Sequence, residues 1–342
     1  MLLMELPNWI NKIQASERIS FLNSYFPGKV LRVTEVNGQT EIHLDWYDDP
    51  AFYIDEKLLQ NITLLDKELT VYEIPSFYRQ YNGFNLVLND NWTLYFWAQV
   101  LRKRRSLNKG LGKLVIIHID DHFDCMVPLL FQTNSEDFLD PYTNMNVKMD
   151  DPDTVIRAIN SGSIAIGSFI TPFLHALDSF DFRYLIPESR LKGPSRGTIK
   201  KSNVSDILFK DRTRPTISFE ESSGISAHTF RIATKLDDLL TDISEDAQIL
   251  VHIDMDYFNN RYDGDSDWKH HVRKHDPNRR EVMLSISHVL GLLKTRIVGK
   301  QIADFTIAFS PGFFPSDYWQ ESINLFSRYL AKNDQTPSNR SE

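Results

Sequence analysis

The chain has 342 residues, 42% of them hydrophobic and 25% charged, with a formal net charge of −8 and a pI near 5.7. That length supplies a sizeable core for one large α/β domain plus an extension. The acidic balance argues against general nucleic-acid affinity, which needs clustered cations, and it suits a cationic substrate. The single cysteine, Cys125, excludes an intramolecular disulfide and reads as a small filler beside a strand end.

The opening residues MLLMELPNWINK carry Glu5 and break at Pro7, so they do not read as a signal peptide. No apolar run approaches the roughly 20 residues of a membrane span, and a soluble, cytoplasmic protein is expected. Residues 1–75 differ from the rest. A helical stretch at about 8–24 precedes strand-like runs at 29–36 and 40–46, joined by the Asn-Gly turn signal of "NGQ", and a short helix is expected near 55–60. These features predict a small α+β extension whose hairpin edge would suit an added peptide strand.

From residue 76 the rhythm changes. "LVIIHI" (114–119), "SIAIGSFI" (163–170), "FRYLIP" (182–187), "QILVHI" (248–253) and "DFTIAFS" (304–310) are continuous aliphatic runs, as strands covered on both faces show. Helical patterns separate them at 153–160, 233–243, 279–294 and 317–331. The alternation predicts an α/β fold with a mainly parallel central sheet over 76–333. In the last helix Trp319, Ile323, Phe326 and Leu330 form a core-facing stripe. "LRKRR" (101–105) reads as a solvated helix end, 189–216 as a long loop, and 334–342 as a disordered tail.

Two strands run straight into charge. "HIDDHFD" (118–124) and "HIDMD" (252–256) each end an aliphatic run, and ligands of open α/β sheets bind at the carboxyl ends of strands. If the chain stays extended, Asp120, His122 and Asp124 share a face at about 6.6 Å per step, as do Asp254 and Asp256. One Asp-x-Asp alone also serves as a cap or a solvated turn. Four carboxylates and one imidazole converging after two buried strands call for a cation, because unpaired buried charge is costly. Oxygen-rich ligands with one His suit Mn²⁺ or another hard divalent ion better than structural zinc. Five such side chains are enough to anchor two ions, and metals about 3.5–4 Å apart can share and acidify a water. His118 and His252, inside the apolar runs, read as supporting histidines. Asp121 points away. "DGDSDWKHHVRKHD" (263–276) reads as a loop bordering the site, with a separate Ca²⁺ or Zn²⁺ site as the alternative.

Asp-x-His-x-Asp at Asp120, His122 and Asp124, with a distant Asp-x-Asp at Asp254 and Asp256, resembles the ureohydrolases, the arginase and agmatinase superfamily. "IDDHFD", "IGSFITPFLHA" (166–176), "HIDMDYFNNR" (252–261) and "TIAFSPGF" (306–313) resemble a divergent branch that includes bacterial peptide arginases, over residues 76–330. The resemblance implies a three-layer arginase-like fold and two Mn²⁺ ions. Asp120 and Asp254 would bridge them, Asp124 would bind one ion and hydrogen-bond the bridging hydroxide, and His122 and Asp256 would bind the other. It implies hydrolysis of arginine side chains in a precursor peptide to ornithine and urea, a step of peptide natural-product maturation.

Two departures stand out. The family's Gly-Asp-His motif corresponds to "NDNWTLYFW" (89–97), which lacks His, so Asp90 or Asn91 would substitute. The family's guanidinium-holding Glu corresponds to Ala308, so Asp317, Glu220 and Glu221 are the substrate-pairing candidates. A free guanidino compound or an acetylated amine is the alternative substrate, and a metal-stabilised binding protein without catalysis is the alternative of another class.

Overall fold

The computed structural model describes residues 2–27, 29–36, 39–46, 53–107, 113–134, 136–190, 193–222, 224, 226–265, 267–271, 275–297 and 301–331. The predicted tail at 334–342 and the Asn37-Gly38 turn lie outside the described residues. No helix among the described residues is long and apolar enough to cross a membrane.

The N-terminal unit is built from β1 (Leu2–Glu5), α1 (Ala15–Tyr25), β2 (Lys29–Val36) and β3 (Gln39–Trp46). The two hairpin strands pair antiparallel as expected. The second side of β3 is taken by β1, so β3 is central and β1 and β2 are the edges of this sheet. Ile10, Leu22, Phe26 and Ile42 form a small core with Leu129, Tyr142 and Leu208 from the remainder of the chain. A buried polar contact reinforces the join: the Tyr25 hydroxyl donates to Asp206 (2.9 Å), which also accepts from Arg214 Nε (2.5 Å).

The chain then runs through α2 (Leu58–Asn61), β4 (Tyr78–Tyr81), β5 (Phe84–Val87), α3 (Thr93–Ser106) and β6 (Leu114–Ile119). A small antiparallel sheet follows: β7 (Phe131–Gln132), β8 (Asp137–Asp140) and β9 (Met145–Lys148). Next come α4 (Pro152–Ser161), α5 (Ile170–His175), β10 (Phe180–Leu185), β11 (Ser195–Ser205), β12 (Thr213–Glu221) and β13 (His228–Ala233). The chain continues through α6 (Leu236–Leu239), β14 (Gln248–Asp254), α7 (Arg279–Arg296), β15 (Gln301–Ala308) and α8 (Trp319–Leu330).

Nine strands form the central sheet in the order β12-β11-β13-β10-β6-β14-β15-β5-β4. The stretch from β13 to β5 is parallel; antiparallel strands close both edges. Alternate residues of the middle strands feed two cores. Val115, Ile117, Ile119, Val251 and Ile253 pack with α7 and α8 through Ile286, Leu290, Trp319 and Phe326. Leu114, Ile116 and Leu250 pack on the other face with Trp97 of α3, Val155 of α4 and Phe173 of α5. The result is a mixed α/β fold with helices on both faces of a large, mostly parallel sheet. Each fully buried Leu, Ile or Phe contributes about 1.5–3 kcal/mol of transfer free energy.

Three expectations need correction. Residues 163–170 form no strand: the left-handed Gly162 (φ 86°) and Gly167 (φ 75°) break the extended path, Ile164 and Phe169 are buried in a loop that leads into α5, and Ile170 is already the first residue of that helix. The predicted loop at 189–216 instead contributes most of the β11–β12 hairpin, whose exposed positions carry the Lys and Ser residues that disguised it. The pattern at 233–243 shrinks to α6, followed by a left-handed residue at Asp242 (φ 56°). The end of α3 is only partly solvated: Arg105 pairs with Glu136 and Asp150, whereas Arg104 is buried against Gln248. The Trp319, Ile323 and Phe326 stripe is buried as expected.

Candidate metal centre

Topology explains where the centre lies. From β6 the chain builds outward through β10 to β13 on one side, then returns to lay β14 against the other side of β6. Strand order therefore reverses between β6 and β14, and the crevice at the carboxyl ends of such a pair is where α/β sheets bind ligands. The two strands are in register, with His118 beside His252 and Ile119 beside Ile253. Asp120 and Asp254 thus leave adjacent strands at the same level.

The acidic stretches converge through turns, which corrects the expectation of an extended alternating face. β6 ends at Ile119, and Asp120 Oδ1 accepts the His122 backbone N–H at 2.6 Å. Asp124 sits in the left-handed region at φ 49°. Asp254 likewise accepts the Asp256 N–H (3.2 Å), opening a single 3₁₀ turn. Short carboxylate side chains favour such turns because they bond the backbone two residues on.

Asp120, Asp124, Asp254 and Asp256 are all buried, and His122 Nδ1 lies 2.7 Å from Asp256 Oδ2. Asp90 joins them, buried at the start of the turn before α3, while Asn91 turns away to donate to the Ile164 carbonyl (3.0 Å). Of the two proposed substitutes for the missing His, Asp90 is the one that lines the cavity. Ser310, at φ 42° just beyond β15, donates to Asp254 Oδ2 at 2.5 Å. Asp121 faces away and is clamped by Arg190 (Nε to Oδ1 2.9 Å, Nη2 to Oδ2 2.6 Å) and Asn260 (2.8 Å), while its N–H donates to Asp256 Oδ1 (3.1 Å). Nothing in the motif spacing pointed to Ser310, Arg190 or Asn260. They come from loops after β15, β10 and β14.

Burial and crowding set the electrostatics. Burial first, then the charges of Asp124, Asp256 and Asp254, holds the Asp120 carboxyl well above the usual range. Burial and Asp124 do the same to Asp90, and burial with Asp256 and Asp90 to Asp254. Asp124 is pushed up to about 7 by burial; the neighbouring Asp120 carboxyl opposes this, and Asp254 and Asp256 add to it. Burial disfavours a charged imidazole at His122, but the hydrogen bond and charge of Asp256, with Asp124 and Asp121 nearby, outweigh it and raise the group to about 10. Burial also pushes the Cys125 thiol up, with Asp124 adding to the effect, so this cysteine is no ready thiolate.

His118 and His252 form a brace beneath the carboxylates. Their rings stack at 5.1 Å with Nδ1 atoms 2.9 Å apart, and burial keeps both neutral. His118 Nε2 lies 3.0 Å from the His122 carbonyl oxygen, to which it must donate. His118 Nδ1 is then the acceptor of the His252 Nδ1–H, and His118 has no lone pair left for an ion.

The arrangement fits a metal ion. Asp120 Oδ2 and Asp124 Oδ2 are buried with no hydrogen-bond partner among the described residues. Ligand atoms of Asp120, His122 and Asp256 lie within 4.8 Å of one another, as do those of Asp121, His122 and Asp263. Oxygen-rich sets of this kind hold hard divalent cations. Of the 263–276 loop, Asp263 borders the centre, 3.8 Å from His122 Nε2, whereas Asp265 pairs with His271 within the loop.

The carboxylates floor a cavity of about 650 Å³ whose walls include Phe123, Met126, Ile166, Phe219, Pro311 and Phe313. Gly167 also lines it, and a Cβ there would meet the Met126 sulfur and Asp124 Oδ1 at 3.6 and 3.9 Å. The other sequence candidates lie elsewhere. Asp317 pairs with Lys57 (2.6 Å) at the start of α8. Glu220 lies 3.9 Å from Lys200, and Glu221 accepts from Ser195 (2.8 Å), both at the sheet edge. Ala308 is buried in the core beside α3.

No known family model matches this chain, and no curated protein matches it.

Proposed function

We propose that the chain is a divalent-cation-dependent hydrolase of the ureohydrolase type, using two Mn²⁺ ions to cleave the guanidinium of arginine residues in a precursor peptide, with ornithine and urea as products. The carrying observation is the pair of donor-less buried oxygens, Asp120 Oδ2 and Asp124 Oδ2, in a cluster whose Asp90, His122, Asp124, Asp254 and Asp256 line the cavity. The three-layer sheet, with both motifs at its switch point, is compatible with an arginase-like fold.

Asp120, His122, Asp124, Asp254 and Asp256 would hold the ions, with Asp90 in the place of the missing histidine. Bound there, divalent cations supply the positive charge that lets water ionise near neutral pH and that stabilises charge developing on the substrate. The chain's own groups do the rest. Anionic carboxylates on the floor attract the guanidinium. Asp124, besides binding an ion, would accept a hydrogen bond from the attacking water and pass that water's proton to the departing amine. Ser310 and the Asp256 N–H fix the Asp254 carboxylate, and the Arg190–Asp121 clamp fixes the loop that carries His122.

The test is to incubate the Mn²⁺-loaded protein with arginine-containing peptides and measure urea and peptide mass. Urea should form and should vanish with Asp254→Asn. No turnover of peptides, free arginine or agmatine by protein shown to hold metal defeats the proposal and favours a binding protein, the reading suggested by Ala308 and the His-less "NDNW".

A further inference from the structure

The cavity is larger than the group proposed to enter it. Its 650 Å³, at roughly 30 Å³ per water-sized group, corresponds to about twenty non-hydrogen atoms. An arginine side chain supplies only about seven beyond Cα, ending in its planar fork. The carboxylates occupy the floor, so the remaining space is bounded by the walls, and the walls have a chemistry of their own. Phe123, Met126, Ile166, Phe219, Pro311 and Phe313 are apolar.

These walls are exposed yet held in place. Met126 is 70% and Phe123 38% exposed. The Phe123 ring lies 4.5 Å from that of Tyr184 and 5.6 Å from that of Phe219, and Phe313 is set edge-on to His122 at 5.2 Å. Clustered apolar surface above a charged floor is what a ligand site presents. Among the described residues no Lys or Arg lines the cavity. The carboxylate of a free amino acid would therefore be desolvated against apolar walls without a cationic partner. A residue joined by neutral amides carries no such cost.

We propose that the upper wall, formed by Phe123, Met126, Phe219 and Phe313, is a subsite for an uncharged apolar residue flanking the arginine in the peptide. The inference rests on the guanidinium-hydrolase reading above. It commits to one occupant, a peptide segment whose cation meets the acidic floor while its apolar neighbour meets the wall.

The experiment uses the Mn²⁺-loaded full chain and end-blocked peptides in which arginine is preceded or followed by Leu, Ser or Asp. Leu on one side should raise kcat/KM for urea release about tenfold or more over Ser, with Asp lowest. Met126→Gln, at a mostly exposed position, should narrow the Leu-to-Ser ratio, and Phe219→Gln should do the same. Clear urea release with ratios within about twofold on both sides overturns the subsite and leaves the hydrolase reading standing. A preference that both variants leave untouched also overturns it, because the wall is then not what reads the flank. No urea from any peptide overturns the hydrolase reading and this inference with it.

Discussion

Mn²⁺ should stabilise the protein more as the pH rises from about 5 to 9, and the structure sets the scale. Asp124 is the clearest contributor. In the unfolded chain its carboxyl ionises near 3.8; in the fold it is pushed to about 7. The folded, metal-free protein therefore holds that proton more tightly. The stability it provides is complete below about pH 4 and is lost as the pH climbs through about 7. Moving a carboxyl from 3.8 to about 7 corresponds to about 4 kcal/mol. Asp90, Asp120 and Asp254 are displaced in the same direction. His122, raised to about 10, adds stability that is complete below 6.5 and lost toward 10. A bound cation replaces those protons, so its benefit grows as they leave. At roughly 2.1 cal/mol/K of unfolding entropy per residue, 342 residues give about 0.7 kcal/mol/K, and Asp124 alone is worth about 6 °C in Tm. The assay is thermal unfolding at each pH in chelator and in Mn²⁺, read as the difference. Distant groups, such as Lys29, whose ammonium is lowered to about 7 by burial, act alike in both arms and cancel. A Tm difference that stays constant or shrinks between pH 5 and 9 refutes the reasoning.

Three substitutions probe the parts separately. Asp254→Asn removes a carboxylate tied to Ser310 and to the Asp256 N–H; urea formation should fall at least about 100-fold and cation content, by elemental analysis, should drop. Arg190→Met removes the two guanidinium bonds to Asp121 and leaves that of Asn260, and calorimetric titration should show cation affinity about 10–100-fold weaker with circular dichroism unchanged; an unaltered affinity would mean that the clamp does not position the ligand loop. Tyr25→Phe removes the hydroxyl that donates to buried Asp206, and denaturant unfolding should register a loss of about 1–2 kcal/mol.

What was legible in the sequence depended on how many faces of each element are buried. β6, β14 and β15 lie in the middle of the sheet with both faces covered, so their aliphatic runs announce them. β11 and β12 lie at the edge. Lys200, Glu220 and Glu221 face solvent there, and the hairpin looks like polar loop. Residues 163–170 fail in the opposite sense: they are as apolar as a strand because they plug the core beside Trp97 and Phe173, and only the glycines at 162 and 167 betray the turns.

The site divides along the same line between residue type and conformation. That Asp120, His122, Asp124, Asp254 and Asp256 belong together follows from two buried strands ending in acid, and strand position alone brings them near. Their actual approach depends on turns that the carboxylates nucleate themselves, a local choice that period-2 reasoning cannot see. The same limit applies at "NDNW". Asp90 and Asn91 are neighbours of equal oxygen chemistry, and only the 3₁₀ turn after β5 decides which faces the cavity. The supporting residues were less legible still. Ser310, Arg190 and Asn260 come from three different loops, and each acts by holding a carboxylate in place. Their role exists only once β6, β10, β14 and β15 have been laid side by side, so it is a property of strand order and not of any local pattern.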